Sequence, residues 1–121
     1  MLTNFNFIYM ITTYTTYFVH KIAELVVSAS NLLDETNIAF DNKQISRPEY
    51  EGYVELYNNL YDLVCDFNIG ETSPNSFLRK LYDITKLYER LGNTIYTNSM
   101  FDLLANTYVD LAEINLFRKD A

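Results

Sequence analysis

The stretch SRPEYEGYVELYNNLYDLVCDFNIG, residues 46–70, decides the fold. It opens with Ser46 three residues before Glu49, the spacing of a capping box, and Pro48 sits in the first turn, where a missing N–H costs little. It closes with Gly70, a residue free to adopt the left-handed conformation that ends a helix. Between these signals the pattern predicts a helix from about 47 to 67. On a helical projection at about 100° per residue with Tyr50 at zero, Leu56, Leu60, Leu63, Val64 and Phe67 fall between about 220° and 320° and form a core arc. Tyr50, Tyr57 and Tyr61 fall between about 340° and 20°, on one flank of that arc, with Tyr53 nearer its centre. Glu51, Glu55, Asp62 and Asp66 fall between about 100° and 160°, on the other side. From Glu49 to Glu71 there are six acids and no base.

The neighbouring segments follow the same logic. Upstream, Phe7, Ile11, Tyr14, Phe18, Ile22, Leu25, Ala29 and Leu32 recur at steps of three and four, which predicts a long helix from about 5 to 40. Phe5 to Val19 also carries the aromatic, Ile and Thr content of a strand, but strict alternation is absent. Ser28-Ala29-Ser30-Asn31 marks a candidate kink or break, and residues 41–45 form a turn. Downstream, Ser73 caps a third helix with Pro74 at its first position, Phe77, Leu81, Ile84, Tyr88 and Leu91 on one face, and Gly92 at its end. Ser99 with Asp102 repeats the cap spacing, so residues 94–98 read as a connection. The fourth helix then carries Phe101, Leu104, Ala105, Tyr108, Leu111 and Ala112, with Arg118 and Lys119 at the end that its dipole makes negative. Leu103 and Ile114 fall off that face and either widen the core or form a second patch.

Four amphipathic helices with short connections predict an all-α fold, an antiparallel four-helix bundle spanning residues 1–121 as one domain, with the first helix lying against the other three. No repeat, low-complexity tract or flexible linker divides the 121 residues, and a hydrophobic content of 49% is enough for a packed core.

Composition narrows the chemistry. Sixteen acids against nine bases give a net charge of −7, which opposes generic binding to nucleic acid or anionic lipid. One Cys (Cys65) provides no internal disulfide, and one His (His20) no two-histidine site. Three Gly cannot build a phosphate-cradling loop of the usual kinds. His20 and Glu24, four apart, read as a surface pair with nothing else assembled around it. Asp62, Cys65 and Asp66 on one helical turn match no common metal site. No catalytic residue, cofactor or metal is expected. Residues 1–20 lack a formal charge apart from a protonated His20, yet Thr3, Thr12, Thr13, Thr15, Thr16, Asn4 and Asn6 interrupt them as a membrane span, and no basic n-region makes them a signal peptide. A lone Cys suits the cytoplasm.

What remains is recognition. Tyr50, Tyr57 and Tyr61 read either as bundle-margin rings with wet hydroxyls or as rigid contact area for a partner. The acidic row reads either as a solvated face or as a binding ridge. Glu51 to Asp66 spans about 22 Å, with neighbours four apart about 6 Å from each other, near the spacing of phosphates along a nucleic-acid strand. The expected partner is therefore a protein with a basic groove, met through Tyr50, Glu51, Glu55, Tyr57, Tyr61, Asp62 and Asp66. Arg79, Lys86 and Arg90 cluster on the third helix with Asp83 between them, which suggests helical ion pairs such as Asp83–Lys86 or Arg79–Asp83 and, with the acidic ridge of another copy, a homodimer. Across its whole length this short, acidic, Asn-, Ile- and Tyr-rich composition resembles that of small accessory proteins of phages, viruses and mobile elements, including anti-CRISPR and anti-restriction inhibitors. Four-helix bacteriocin immunity proteins are similar in size and class. The first resemblance implies an inhibitor of a nucleic-acid-handling complex. The second implies an interaction protein that works through apolar surface.

Overall fold

Short-range chemistry sets the helix ends in a computed structural model that describes the backbone of residues 2–120 and the side chains of residues 15–116. The elements are α1 (Leu2–Asp41), α2 (Arg47–Asn68), α3 (Pro74–Leu91) and α4 (Ile95–Asp120), with no strand among the described residues. The Ser46 hydroxyl accepts from the Glu49 N–H and starts α2, and Ser73 accepts from the Ser76 N–H and starts α3. Gly70 takes φ +82, and the Gly70 and Glu71 N–H groups donate to the carbonyls of Phe67 and Asp66, the paired bonds that close a helix with a left-handed residue. The end of α1 is built the same way. Lys43 at φ 61 is the left-handed residue, with the Lys43 and Gln44 N–H groups donating to Phe40 and Ala39.

One boundary differs from the sequence expectation, and one candidate break does not form. α1 is one helix through Ser28-Ala29-Ser30-Asn31, so there is no break. Ala29 is fully buried, and Ser28 and Ser30 beside it are half-buried. α4 starts at Ile95, four residues before Ser99. Thr94 and Thr97 form the cap: each hydroxyl accepts from the other's backbone N–H, at 3.3 Å and 3.1 Å. Thr97 does here what Glu does in the usual capping box, so Ser99 and Asp102 lie inside the helix.

The four helices form a ring in which each packs on two neighbours, α1 with α2 and α4, α3 with α2 and α4. Cross-helix contacts join each neighbouring pair of helices. Tyr50 meets Phe40, Tyr53 meets Tyr88, Asn115 donates to Asn75, and Lys21 pairs with Asp110. α1 thus backs on two helices and reaches α3 across the core through Phe18, whose ring centroid is 6.1 Å from that of Phe77. Phe67 completes this aromatic layer at 5.3 Å from both. Phe18, Ile22, Leu25 and Ala29 of α1 are buried on the predicted face, while Phe7, Ile11, Tyr14, Arg118 and Lys119 lie outside the described side chains. Leu103 and Ile114 are half-buried against the core, so they widen it.

Polar groups inside are mostly bonded locally. Thr36, Thr85 and Thr107 each donate to the carbonyl four residues back, at 2.7 Å. At the end of the bundle opposite the Phe layer, Tyr53 and Tyr88 pack edge to face at 5.2 Å, and the Tyr88 hydroxyl donates to the Tyr53 carbonyl at 2.9 Å. Burial pushes the Tyr53 phenol up to about 12 and the Tyr88 phenol higher still. Beside this pair the space over two glycines is filled by the ends of side chains from the neighbouring helix. Leu91 lies where a side chain on Gly52 would begin, and the Glu49 carboxylate lies where one on Gly92 would begin.

Candidate protein-binding surface

The core arc of α2 holds Tyr53, Leu56, Leu60, Leu63 and Val64 buried, and that orientation fixes what the rest of the helix shows. Glu51, Glu55 and Asp62 are exposed and Asp66 is half-buried. Arg47, one turn before Glu51, lies 3.7 Å from it in an exposed pair of little energetic weight. At the α3 edge, Asp62 and Asp66 line a groove of about 290 Å³ with Asn59, Leu63, Lys80, Asp83 and Ile84. The ridge therefore has one cation at each end, and its middle faces solvent.

The three tyrosines of the flank have different fates. Tyr50 is half-buried. Its ring stacks on Phe40 at 4.2 Å and 7°, and its hydroxyl donates to Asn37 Oδ1 at 2.6 Å, so it joins α2 to α1. Tyr57 is half-buried against the core. Tyr61 is 52% exposed and lines a groove of about 380 Å³ between α1 and α2, together with Val19, Ile22, Val26, Val64 and Cys65 among others. Of the row, Tyr61 offers the most free surface, and it opens onto an apolar groove on the side of α2 away from α3.

The other candidates separate cleanly. His20 Nε2 lies 3.0 Å from Glu24 Oε1, and both side chains are exposed. Lys21 lies 3.4 Å from both Glu24 and Asp110, which raises its pKa, the Glu24 charge being the larger cause. Among the described residues no three His, Cys, Asp or Glu side chains converge as a metal site, so Asp62, Cys65 and Asp66 do not assemble one. On α3 the ion pair differs from the expected ones: Lys86 bonds Glu89 at 3.1 Å and lies 5.7 Å above the Tyr82 ring. No helix among the described residues is long and apolar enough to cross a membrane.

A further concavity escapes single-helix reading. Tyr82, Thr85 and Lys86 of α3 and Phe101, Ala105, Tyr108 and Val109 of α4 line an apolar groove of about 180 Å³. The available signal was weak. Tyr82 projects about 140° away from Phe77 on α3, and Val109 lies just beyond the apolar face of α4. The groove exists only because the two helices meet. The arrangement as a whole offers charged and apolar surfaces for recognition. No protein-family model, curated protein or solved structure matches the chain.

Proposed function

We propose that the chain is a non-enzymatic protein-binding protein that sets the outer face of α2 into a basic groove of a nucleic-acid-handling partner and blocks it by charge and bulk. It would act in the cytoplasm as an inhibitor, in the manner of the accessory proteins its composition resembles. The observation that carries this reading is the exposed row Glu51, Glu55 and Asp62, continued by half-buried Asp66, in a stretch with no base from Glu49 to Glu71. A groove that neutralises phosphates with Lys and Arg would neutralise these carboxylates in the same way. Tyr61 would add apolar contact at the margin of the ridge, while Tyr50 and Tyr57 hold the helix in place.

A second reading, an immunity-type interaction protein, is favoured by the α1–α2 groove, where Val19 is 44% exposed beside Tyr61. Capture from host lysates with quantitative mass spectrometry tests the choice. The wild-type chain is compared with Glu51→Lys/Glu55→Lys/Asp62→Lys/Asp66→Lys and with Tyr61→Asp. Loss of the main captured protein in the charge reversal alone supports the acidic ridge. Loss in Tyr61→Asp alone supports the apolar groove. A captured protein without a basic groove ends the leading reading.

A further inference from the structure

We propose that the α3–α4 groove is a second docking site, taking one amphipathic helix of a partner protein that carries an apolar stripe and a row of carboxylates along one edge. The floor and walls are apolar. Phe101, Ala105 and Tyr108 stand one helical turn apart on α4, and the small Ala105 gives depth between two rings. The Tyr82 and Tyr108 rings meet at 5.8 Å across the helix pair. Tyr82 is 47% exposed and Val109 59%, so apolar area is left uncovered along the opening. A furrow between two packed helices has the shape that a third helix fills with side chains at i, i+3 or i+4, and i+7.

Charge selects the occupant. On α3, Arg79, Lys86 and Arg90 are exposed and project within about 40° of one another, just outside Tyr82. They form a cationic lip. Lys86 shares its charge with Glu89, which is exposed and projects about 20° to the groove side of Tyr82, and Asp83 lies beyond Arg90 on the projection. The opposite lip, on α4, carries exposed Asp102 and Glu113. Leaving out Lys80, which lines the α2–α3 groove, the α3 lip holds three bases against Asp83 and Glu89, whereas the α4 lip carries Asp102 and Glu113, so an anionic edge is favoured on the α3 side. The groove thus fixes both the apolar face of its ligand and which side of that face is acidic. The acidic ridge of a second copy is the poorer match: its outer arc presents Glu51, Glu55, Asn58, Asn59 and Asp62, and its exposed ring, Tyr61, stands at the margin.

Two synthetic amphipathic peptides of about 18 residues test this, sharing one Leu/Phe stripe and bearing either Glu or Lys along the edge that meets α3. Fluorescence anisotropy is read against the full-length chain. The Glu-edged peptide is expected to bind at least about tenfold more tightly than the Lys-edged one. Val109→Glu should abolish binding, and Lys86→Glu/Arg90→Glu should reverse the preference. Glu51→Lys/Glu55→Lys should leave the preference in place, which separates this site from the α2 ridge. Circular dichroism checks the fold of each variant, and Tyr82→Ser replaces Val109→Glu if that chain unfolds. Equal affinity for the two peptides, no binding of either, or binding that survives both groove variants overturns the proposal. So does a dimer in sedimentation that Val109→Glu dissociates, because the groove would then belong to a second copy.

Discussion

Phe18→Ala should remove much of the stability of the bundle. Phe18 is 3% exposed and meets Phe67 at 5.3 Å and Phe77 at 6.1 Å, so one ring joins α1 to both α2 and α3. Truncating a buried Phe to Ala costs about 3–5 kcal/mol, through lost burial and the cavity left behind. Part of that is specific to the ring contacts, about 0.5–1.5 kcal/mol for an aromatic pair. Domains hold only about 5–15 kcal/mol in total. With an unfolding entropy of about 2.1 cal/mol/K per residue, a loss of 4 kcal/mol lowers Tm by roughly 15 °C in a chain of this length. Urea and thermal melts followed by circular dichroism measure it, with Phe18→Leu expected to recover more than half of the loss. Removing residues 1–20 deletes Phe18 with the rest of that segment and should abolish the cooperative transition. A Phe18→Ala loss under about 1 kcal/mol at unchanged m-value, or a truncated chain that melts cooperatively, would refute the placement of α1 against the Phe layer.

Other expectations follow from the helix ends and the buried phenols. Lys43→Gly should stabilise the chain by up to about 1 kcal/mol, because Lys43 holds a left-handed φ of 61 that Gly adopts without strain; a lower urea midpoint would contradict this. Thr94→Ala should cost about 1 kcal/mol as the loss of a cap, while Ser99→Ala stays within about 0.5 kcal/mol; the opposite order would restore the start of α4 to Ser99. Stability should fall as the pH rises above about 10. There the unfolded chain releases phenolic protons that Tyr53, pushed up to about 12, still holds in the fold. The slope is about 1.4 kcal/mol per pH unit for each such tyrosine until its folded pKa is passed. Alkaline urea titrations of Tyr53→Phe should show a shallower fall than the wild type, and identical slopes would count against the buried phenol.

What could be read before the structure was whatever chemistry lies within four residues. Ser46, Ser73 and Gly70 mark helix ends because a side-chain oxygen or a missing Cβ acts on its own turn. The same reasoning missed Thr94, since a Thr–Thr pair does the work that the acid of a capping box usually does. It missed the role of Lys43, since Asn42 beside it is the commoner left-handed residue. The projection grouped Tyr50, Tyr57 and Tyr61 correctly as one flank of α2. Their fates depend on what α1 sets opposite each: Phe40 and Asn37 take the ring and hydroxyl of Tyr50, whereas Tyr61 meets Val19 and the open groove. The α3–α4 groove was illegible for the same reason, because three of its lining residues come from α3 and four from α4.

The central claim is that the acidic face of α2 is the docking surface. The most direct measurement is the affinity of the wild-type chain for its captured partner between about 50 and 500 mM salt, beside the same titration of Glu51→Lys/Glu55→Lys/Asp62→Lys/Asp66→Lys. The account predicts a wild-type affinity that falls at least about tenfold across that range, and a charge-reversed chain that binds weakly at every salt concentration. An affinity that is flat in salt and equal in the two chains would contradict it.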